Sequence, residues 1–334
     1  MNYQRRQSVK FTYLNGKDPN KLVSKTYSDI IDHDCLPSIK VFAIGEDAIS
    51  AMNSVFDLYE GCINYIALSD NLNELTSSKT NIQMQVENND SAITAKANHE
   101  ELISKLKSLV KETDLAIIIA DMQKALYSRL AAEIAKASIA EDNLTVGIEN
   151  SATHERNSKP NILDFEKALD AVININDSII DLDKNSDDKT IASELIAKAV
   201  NTIVYPLVYI SFIVVDFNDL KSLLKNSGKN VVATLKSSDI SKLKAFVEKL
   251  HLKPKGTLFY ISTNSNFLTA DYEKLLDEIE CCFDDDCKEH VCLHLDDSVP
   301  KDTFNISGLF GGLLLWMKTE RNENKLLCGE SIII

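Results

Sequence analysis

Short continuous apolar runs alternate with amphipathic stretches along most of this chain. Ile39-Lys40-Val41-Phe42-Ala43-Ile44, closed by Gly45, has the pattern of a buried strand. Ala48 to Tyr59 follows with apolar residues at helical spacing (Ala48, Met52, Val55, Phe56, Tyr59). The strand signal returns at Ile63–Leu68, Leu115–Ala120, Leu144–Ile148 and Ala171–Ile175. Helical patterns fill Glu100–Val110 and Leu126–Ser138. This alternation predicts parallel strands joined by crossover helices on both faces of the sheet.

The second half begins with a long helical segment over Lys189–Thr202. An apolar stretch then runs to Val215 and ends at the loop Asp216-Phe217-Asn218-Asp219. Strands are expected at Val231–Leu235, Thr257–Ser262, His290–Leu295 and Thr303–Phe310, and helices over Ser241–Leu250 and Tyr272–Phe283. With fewer strands between helices, this half reads as a smaller mixed α/β domain. The expected organisation is an N-terminal extension (1–38) carrying the turn signals Asn15-Gly16 and Asp18-Pro19, then a parallel α/β domain (39–188). A central helix and loop (189–220), a second α/β domain (221–312) and a tail (313–334) follow. No internal repeat is visible.

Composition narrows the functions. The chain has 334 residues, a formal net charge of -14 and a sequence pI near 4.9. Phosphate backbones and anionic membranes need concentrated Lys and Arg, so neither nucleic acid nor a membrane surface is an expected partner. The one basic cluster, Arg5, Arg6 and Lys10, reads as a solvated arm. Met1–Lys10 lacks a signal-peptide pattern. The most apolar stretch, Ile203–Val215, is too short to span a bilayer and carries Pro206. The seven cysteines are odd in number and lack a disulfide-framework spacing, so a reduced, cytoplasmic protein is expected.

The order of segments, with several strings inside them, resembles the FtsZ branch of the tubulin superfamily from about Ile39 to Phe310. Ile39–Ile44 followed by Ser50-Ala51-Met52-Asn53 is similar to the family's first strand and the helix after its glycine run. Ala131-Ala132-Glu133-Ile134-Ala135-Lys136 and Leu144-Thr145-Val146-Gly147 resemble the helix and strand after the tubulin signature. Leu169 to Asp177 resembles the strand that ends in Pro-Asn-Asp. Val215-Asp216-Phe217-Asn218-Asp219-Leu220 resembles the synergy loop. Lys255-Gly256-Thr257-Leu258-Phe259 and Leu295-Asp296-Asp297-Ser298 resemble landmarks of the second domain. The resemblance implies a Rossmann-like GTPase-type domain, a central helix and a C-terminal α/β domain. It also implies a cytoskeletal, cell-division-related protein whose subunits associate head to tail.

The nucleotide-facing strings depart from that pattern. A phosphate needs converging backbone N–H groups and glycine at close approach. The matching stretch here is Gly45-Glu46-Asp47-Ala48-Ile49, with one glycine and two carboxylates. Like charges ~4 Å apart repel by about 1 kcal/mol even in water, so Glu46 and Asp47 oppose a triphosphate. Mg²⁺ bridging Asp47 to phosphate is one alternative; acidic residues at a helix N-terminus is the plainer one. The signature loop is matched by Ile117 to Arg129 and holds no glycine. Lys124 and Arg129 are either phosphate-attracting charges or solvated helix residues. Ser69-Asp70-Asn71 and Ala95–His99 replace two further loops, the second without glycines. On the base side, Ser193 stands where the family carries Asn or Asp.

If nucleotide binds at all, the resemblance assigns it to Gly45, Ser50, Asn53, Asn176 and Ser193. The expectation is that GTP binding is lost or very weak and that no cofactor is needed. An active, polymerising GTPase using GTP or GDP with Mg²⁺ is the alternative. Asp216 and Asp219 match both acidic positions of the synergy loop, which implies action on a neighbouring subunit's nucleotide. Equally, they can cap the helix that starts there. Cys281, Cys282, Cys287, His290, Cys292 and His294 fit no standard zinc spacing, and no metal is expected. The partner that the resemblance implies is another copy of the chain or an intact FtsZ subunit.

Overall fold

A computed structural model gives the structure. It describes residues 36–312 apart from 60, 81, 87–102, 151–159, 177, 183–190, 210, 238–240, 242, 246–253, 267–268 and 284–285. The expected N-terminal extension up to residue 35, the loop 95–99, most of the helix at 241–250 and the tail from 313 lie outside the described residues.

The first sheet is built from β1 (Ile39–Ile44), β2 (Ile63–Ser69), β3 (Ile82–Gln85), β4 (Leu115–Asp121), β5 (Leu144–Asn150), β6 (Ala171–Asn174) and β8 (Gly228–Lys229). Its spatial order is β3-β2-β1-β4-β5-β6-β8, and every neighbouring pair is parallel. Alternate residues of each strand face opposite layers. Ile39, Val41 and Ala43 share a core with α1 (Glu46–Val55). Phe42 and Ile44 face the other layer, made by a helical stretch at 103–109 (α3), α4 (Ala125–Ala140) and α5 (Pro160–Lys167). Both faces of the sheet are therefore covered, which is why its central strands β1 and β4 are almost continuously apolar in sequence.

The second sheet has the order β11-β10-β12-β9-β7, with β7 (Ile179–Asp181), β9 (Val231–Ser237), β10 (Gly256–Thr263), β11 (Lys288–Leu295) and β12 (Phe304–Gly311). It is mixed: β12 runs antiparallel to β9 and β10, and the other pairs are parallel. The helix Thr269–Glu280 (α8) packs Tyr272, Leu275 and Ile279 on one face of it. Between the sheets lies α6 (Ala192–Val208). Its Val200, Ile203 and Val204 share one core with Val41 and Ile117 of the first sheet and Leu258 and Leu309 of the second. Two strands cross this division. β7 precedes α6 in sequence yet joins the second sheet, and β8 follows α6 yet extends the first.

The expected strands are all present, as is the central helix. Several details differ. The first helix stops at Val55 and tightens into a 3-10 turn at Phe56–Leu58. The central helix does not end at Thr202. It continues through Pro206 to Val208, because Ile203, Val204, Leu207 and Val208 are buried and their packing outweighs the hydrogen bond that proline cannot make. The helix ending at Glu280 stops short of Cys281 and Cys282, which lie in the following turn. The helix expected to start near Asp219, α7 (Phe217–Leu224), begins two residues earlier, inside the segment read as a loop. Among the described residues, no helix is long and apolar enough to cross a membrane.

An aromatic cluster fastens α6 to both sheets. Tyr205 stacks on Tyr260 of β10 with ring centres 5.2 Å apart and meets Tyr59 edge-on at 5.6 Å. The Tyr59 hydroxyl donates to Asn201, and the Tyr209 hydroxyl donates to the Leu58 carbonyl at 2.8 Å. Burial pushes the phenols of Tyr65 and Tyr205 up to about 12, and those of Tyr59 and Tyr260 upward as well. In the unfolded chain a tyrosine titrates near ~10. The stability these raised phenols supply is complete below pH ~10 and is lost as pH rises through the folded values. The urea midpoint is thus expected to stay level up to pH ~10 and then to fall steadily towards pH ~12. A midpoint unchanged across that interval would contradict the burial of these hydroxyls.

Candidate functional site

In an open parallel sheet, the chemically useful crevice lies outside the carboxyl ends of the strands, where the strand order reverses. Here the chain passes from β1 outward to β2 on one side, and from β4 outward to β5 on the other. The crevice is therefore bounded by Gly45 after β1 and Asp121 at the end of β4. Their preceding residues, Ile44 and Ala120, are paired neighbours. The N-termini of α1 and α4 open beside it.

Gly45 adopts φ 93° and ψ 175° as the N-cap of α1. Its N–H donates to the Leu68 carbonyl at 3.0 Å, and its carbonyl accepts from Ile49 at 3.0 Å. The ring of Tyr127 lies against it. A Cβ added at Gly45 would stand 2.7 Å from Tyr127 Cε2 and 3.1 Å from Cδ2. The ring is buried and its hydroxyl is anchored. It donates to Asp70 Oδ1, lies 3.0 Å from Ser69 Oγ and accepts from Lys124 Nζ at 3.3 Å. Lys124 also stands over the Tyr127 ring at 4.5 Å and within 3.7 Å of Asp70. Ser69 Oγ in turn donates to Glu74 at 2.6 Å.

Carboxylates stand along this crevice: Asp70 on the tyrosine hydroxyl, Glu74 behind Ser69, Glu46 and Asp47 in the first turn of α1, and Asp121 at the end of β4. Burial, followed by the nearby charges of Asp121 and Glu74, raises the Asp47 carboxyl above its ordinary range. Asp121 makes an Asx turn, accepting from the Gln123 N–H at 3.0 Å.

The structure brings only some of the sequence-assigned residues to this crevice. Gly45 forms one wall of it. Ser50 is exposed farther along α1. Asn53 is bound elsewhere: its amide donates to the Ser77 carbonyl and accepts from the Lys79 N–H, both at 2.9 Å, tying α1 to the loop after α2 (Leu72–Thr76). Asn176, beyond β6, bridges to Asn150 at 3.0 Å and closes an Asx turn on Asn174 at 2.9 Å. Ser193 lies in the first turn of α6. Arg129 is exposed on α4.

Asp216 and Asp219 form a reciprocal capping box at the start of α7. Asp216 Oδ1 accepts from the N–H groups of Asn218 and Asp219 at 2.8 and 3.0 Å. Asp219 Oδ2 accepts from the Asp216 N–H at 3.1 Å. The other Asp219 oxygen is 3.8 Å from His290 Nδ1. Both side chains thus do the capping that their sequence spacing allowed. Among the cysteines and histidines considered for a metal, Cys292 is buried and its Sγ is 3.1 Å from Ser211 Oγ; burial lifts this thiol to about 11. Among the described residues, no group of three or more His, Cys, Asp or Glu side chains is placed to hold a metal ion.

Tyr127 is the residue that sequence reasoning passed over. It stands on the buried stripe of α4 with Leu130, Ala131, Ile134 and Ala135, one turn from the strand end. That stripe was a usable signal, because its first member must point at the crevice.

Together these features define the architecture: a seven-stranded parallel sheet, a central helix and a smaller five-stranded mixed sheet. No family model matches the chain, and no curated protein matches it by sequence. Solved structures do match. A mutant of FtsZ from M. jannaschii superposes with a TM-score of 0.68 at 15% identity, covering 84% of this chain and 92% of that one. An FtsZ dimer described as empty, also from M. jannaschii, gives a TM-score of 0.66 at 15% identity over 83% of this chain and 89% of that one. CetZ from Methanosaeta thermophila gives 0.60 at 12% identity over 83% and 87%. The chain has the tubulin/FtsZ fold, at 12–15% identity to these structures.

Proposed function

We propose that this chain is a cytoskeletal protein of the FtsZ/tubulin type that associates head to tail, with GTP binding lost or nearly so. The observation that carries this reading is the Tyr127 ring resting on Gly45. A phosphate bound at a helix N-terminus needs an open approach to backbone N–H groups. At Gly45 the N–H is already given to Leu68, and an anchored aromatic ring occupies the approach on one side. The surrounding carboxylates add repulsion of about 1 kcal/mol per pair at ~4 Å in water, and more where water is excluded. Lys124, the cation beside the ring, is engaged by Tyr127 and Asp70. The residues at the crevice therefore do not fit a nucleotide triphosphate.

The fold supports the association half of the reading. A contact that joins the crevice end of one copy to the α7 end of the next uses two different surfaces, so it is heterologous and can propagate. In this reading Asp216 and Asp219 shape the loop that enters the contact, and no hydrolytic step passes through them. The partner is a second copy or an intact FtsZ subunit, in the cytoplasm. The deciding experiment is calorimetric titration of the purified protein with GTP and with GDP, each with Mg²⁺, together with assay of acid-released nucleotide. No binding heat and no released nucleotide are expected. A dissociation constant of micromolar or tighter for either nucleotide would overturn the reading.

A further inference from the structure

Four strands stand at sheet edges: β3 and β8 in the first sheet, β11 and β7 in the second. An open edge offers unpaired N–H and C=O groups, and proteins blunt it with charge, brevity or cover. Three of these edges are blunted. β8 is two residues long and carries Lys229; β7 is three residues long and ends in Asp181. β11 carries Lys288 and Glu289, and the Ile213 backbone is bridged to it at Leu293. β3 differs. From Thr80 to Val86 the sequence holds no charged residue and no proline, in a chain whose net charge is -14. Among the described residues, β2 is the one strand that pairs with it.

The ladder to β2 fixes which backbone groups of β3 face outward. Ser69 pairs with Gln85, and the Val86 N–H donates to the Ser69 carbonyl at 2.9 Å. In a parallel ladder a residue bonds to the two residues flanking its partner, so Met84 and Val86 turn their backbone groups towards β2. Backbone direction alternates along a strand, which turns the N–H and C=O groups of Gln83 and Gln85 outward. Ile82 belongs to the inward set: its N–H donates to Thr80 Oγ1 at 3.1 Å, and that hydroxyl donates onward to the Tyr65 carbonyl. Side chains alternate as well. Met84 and Val86 pack on the layer of α3 and α4, and Ile82, 40% exposed, shares their face. Gln83 and Gln85 are exposed on the other.

We propose that β3 pairs edge to edge with β3 of a second copy of this chain, antiparallel about a two-fold axis through Met84. The outward residues, Gln83 and Gln85, stand symmetrically about Met84, so the edge is its own complement. Gln83 of each copy exchanges both backbone hydrogen bonds with Gln85 of the other, the hydrogen-bonded pair of an antiparallel ladder. On one face the exposed Ile82 comes opposite Val86 of the second copy, and the two Met84 side chains meet on the axis. Because the strand carries no charge, two copies of an acidic chain set no like charges directly opposite each other within it. The joint is isologous and closes at two copies. It therefore differs from the head-to-tail contact above and does not depend on it. The paired segment is short, so the association is weak and transient.

The test is disulfide trapping of the nucleotide-free, full-length protein. Directly opposed residues of a non-hydrogen-bonded antiparallel pair have Cα atoms ~4.5 Å apart, within the ~4.4–6.8 Å that a disulfide spans. Met84→Cys treated with glutathione disulfide is expected to form a covalent dimer. Two thiols are oxidised to one disulfide while glutathione disulfide is reduced to two glutathione thiols. Peptide mass mapping is expected to place the bridge between the two introduced thiols. Gln83→Cys is the control, since two copies of that position would stand about 8 Å apart across the same joint, too far for a bridge. The seven native cysteines are common to all variants, and the wild type reports their background. Adding Gln83→Pro to Met84→Cys removes an outward N–H that the ladder to β2 does not use and is expected to abolish trapping. Adding Gln83→Glu and Gln85→Glu instead sets carboxylates opposite each other and is expected to do the same; both positions are exposed. Circular dichroism checks that each variant folds. A Met84→Cys protein that dimerises no more than the wild type would defeat the proposal, as would equal trapping in Gln83→Cys. So would trapping that survives in either blocked variant that folds.

Discussion

Gly45→Ala is expected to destabilise the fold by about 2–4 kcal/mol, the sum of backbone strain and overpacking. At φ 93° and ψ 175° the residue occupies a region that is essentially reserved for glycine, and an L side chain there costs of order 1–3 kcal/mol. The new methyl group would also stand 2.7 Å from Tyr127 Cε2. The ring cannot swing aside freely, because its hydroxyl is held by Asp70 and Ser69. Urea unfolding of Gly45→Ala, Tyr127→Ala and the double variant separates the two costs. With the ring absent, only the backbone cost should remain, so the double variant should be more stable than the sum of the single effects predicts. A Gly45→Ala protein within about 0.5 kcal/mol of wild type would contradict the close contact.

Asp170→Ala is expected to cost about 2–4 kcal/mol. Its carboxylate is almost entirely buried. One oxygen accepts from the Thr145 N–H at 3.0 Å and lies 3.4 Å from Lys225 Nζ; the other accepts from the Asn226 N–H at 3.4 Å. The residue's own carbonyl accepts from the Gly228 N–H at 2.9 Å, so its position decides where β8 joins the first sheet. Truncation leaves a buried N–H and an ammonium group without their acceptor, and that desolvation penalty is the main cost. Lys225 is partly exposed and can turn to water, which keeps the figure below that of a fully buried pair. Asp170→Asn retains an acceptor and should recover part of the loss. The urea midpoint reads both variants, and an unchanged midpoint for Asp170→Ala would refute the account.

The strands were legible where burial on both faces makes them continuously apolar, as at Ile39–Ile44 and Leu115–Asp121. β3 was not. Its Ile82-Gln83-Met84-Gln85 lies at the sheet edge with most of its side chains exposed, so it carries no apolar run. β7 and β8 are too short for any periodicity, and their existence depends on partners far away in sequence. The extension of the central helix past Thr202 was not legible, because the burial of Ile203, Val204, Leu207 and Val208 that keeps it helical through Pro206 is tertiary. At the crevice, the single glycine and the neighbouring carboxylates could be read directly. What could not be read was the reach of Tyr127 across to Gly45 and Asp70. A tyrosine on a helical stripe looks like ordinary core until the loop it covers is placed opposite it. The two aspartates of α7 had a legible spacing but two admissible roles, and only the hydrogen-bond directions distinguish a cap from an open acceptor.

The exchange of β7 and β8 across α6 sets the order in which this protein can be completed during synthesis. When β7 leaves the ribosome, β9, the strand it pairs with, has not yet been made. The first sheet likewise waits for β8, its last strand. A nascent chain paused within α6 would hold an unpaired strand and an unclosed edge, both of which invite wrong partners. Both sheets are thus completed only once the sequence on both sides of the helix has been delivered.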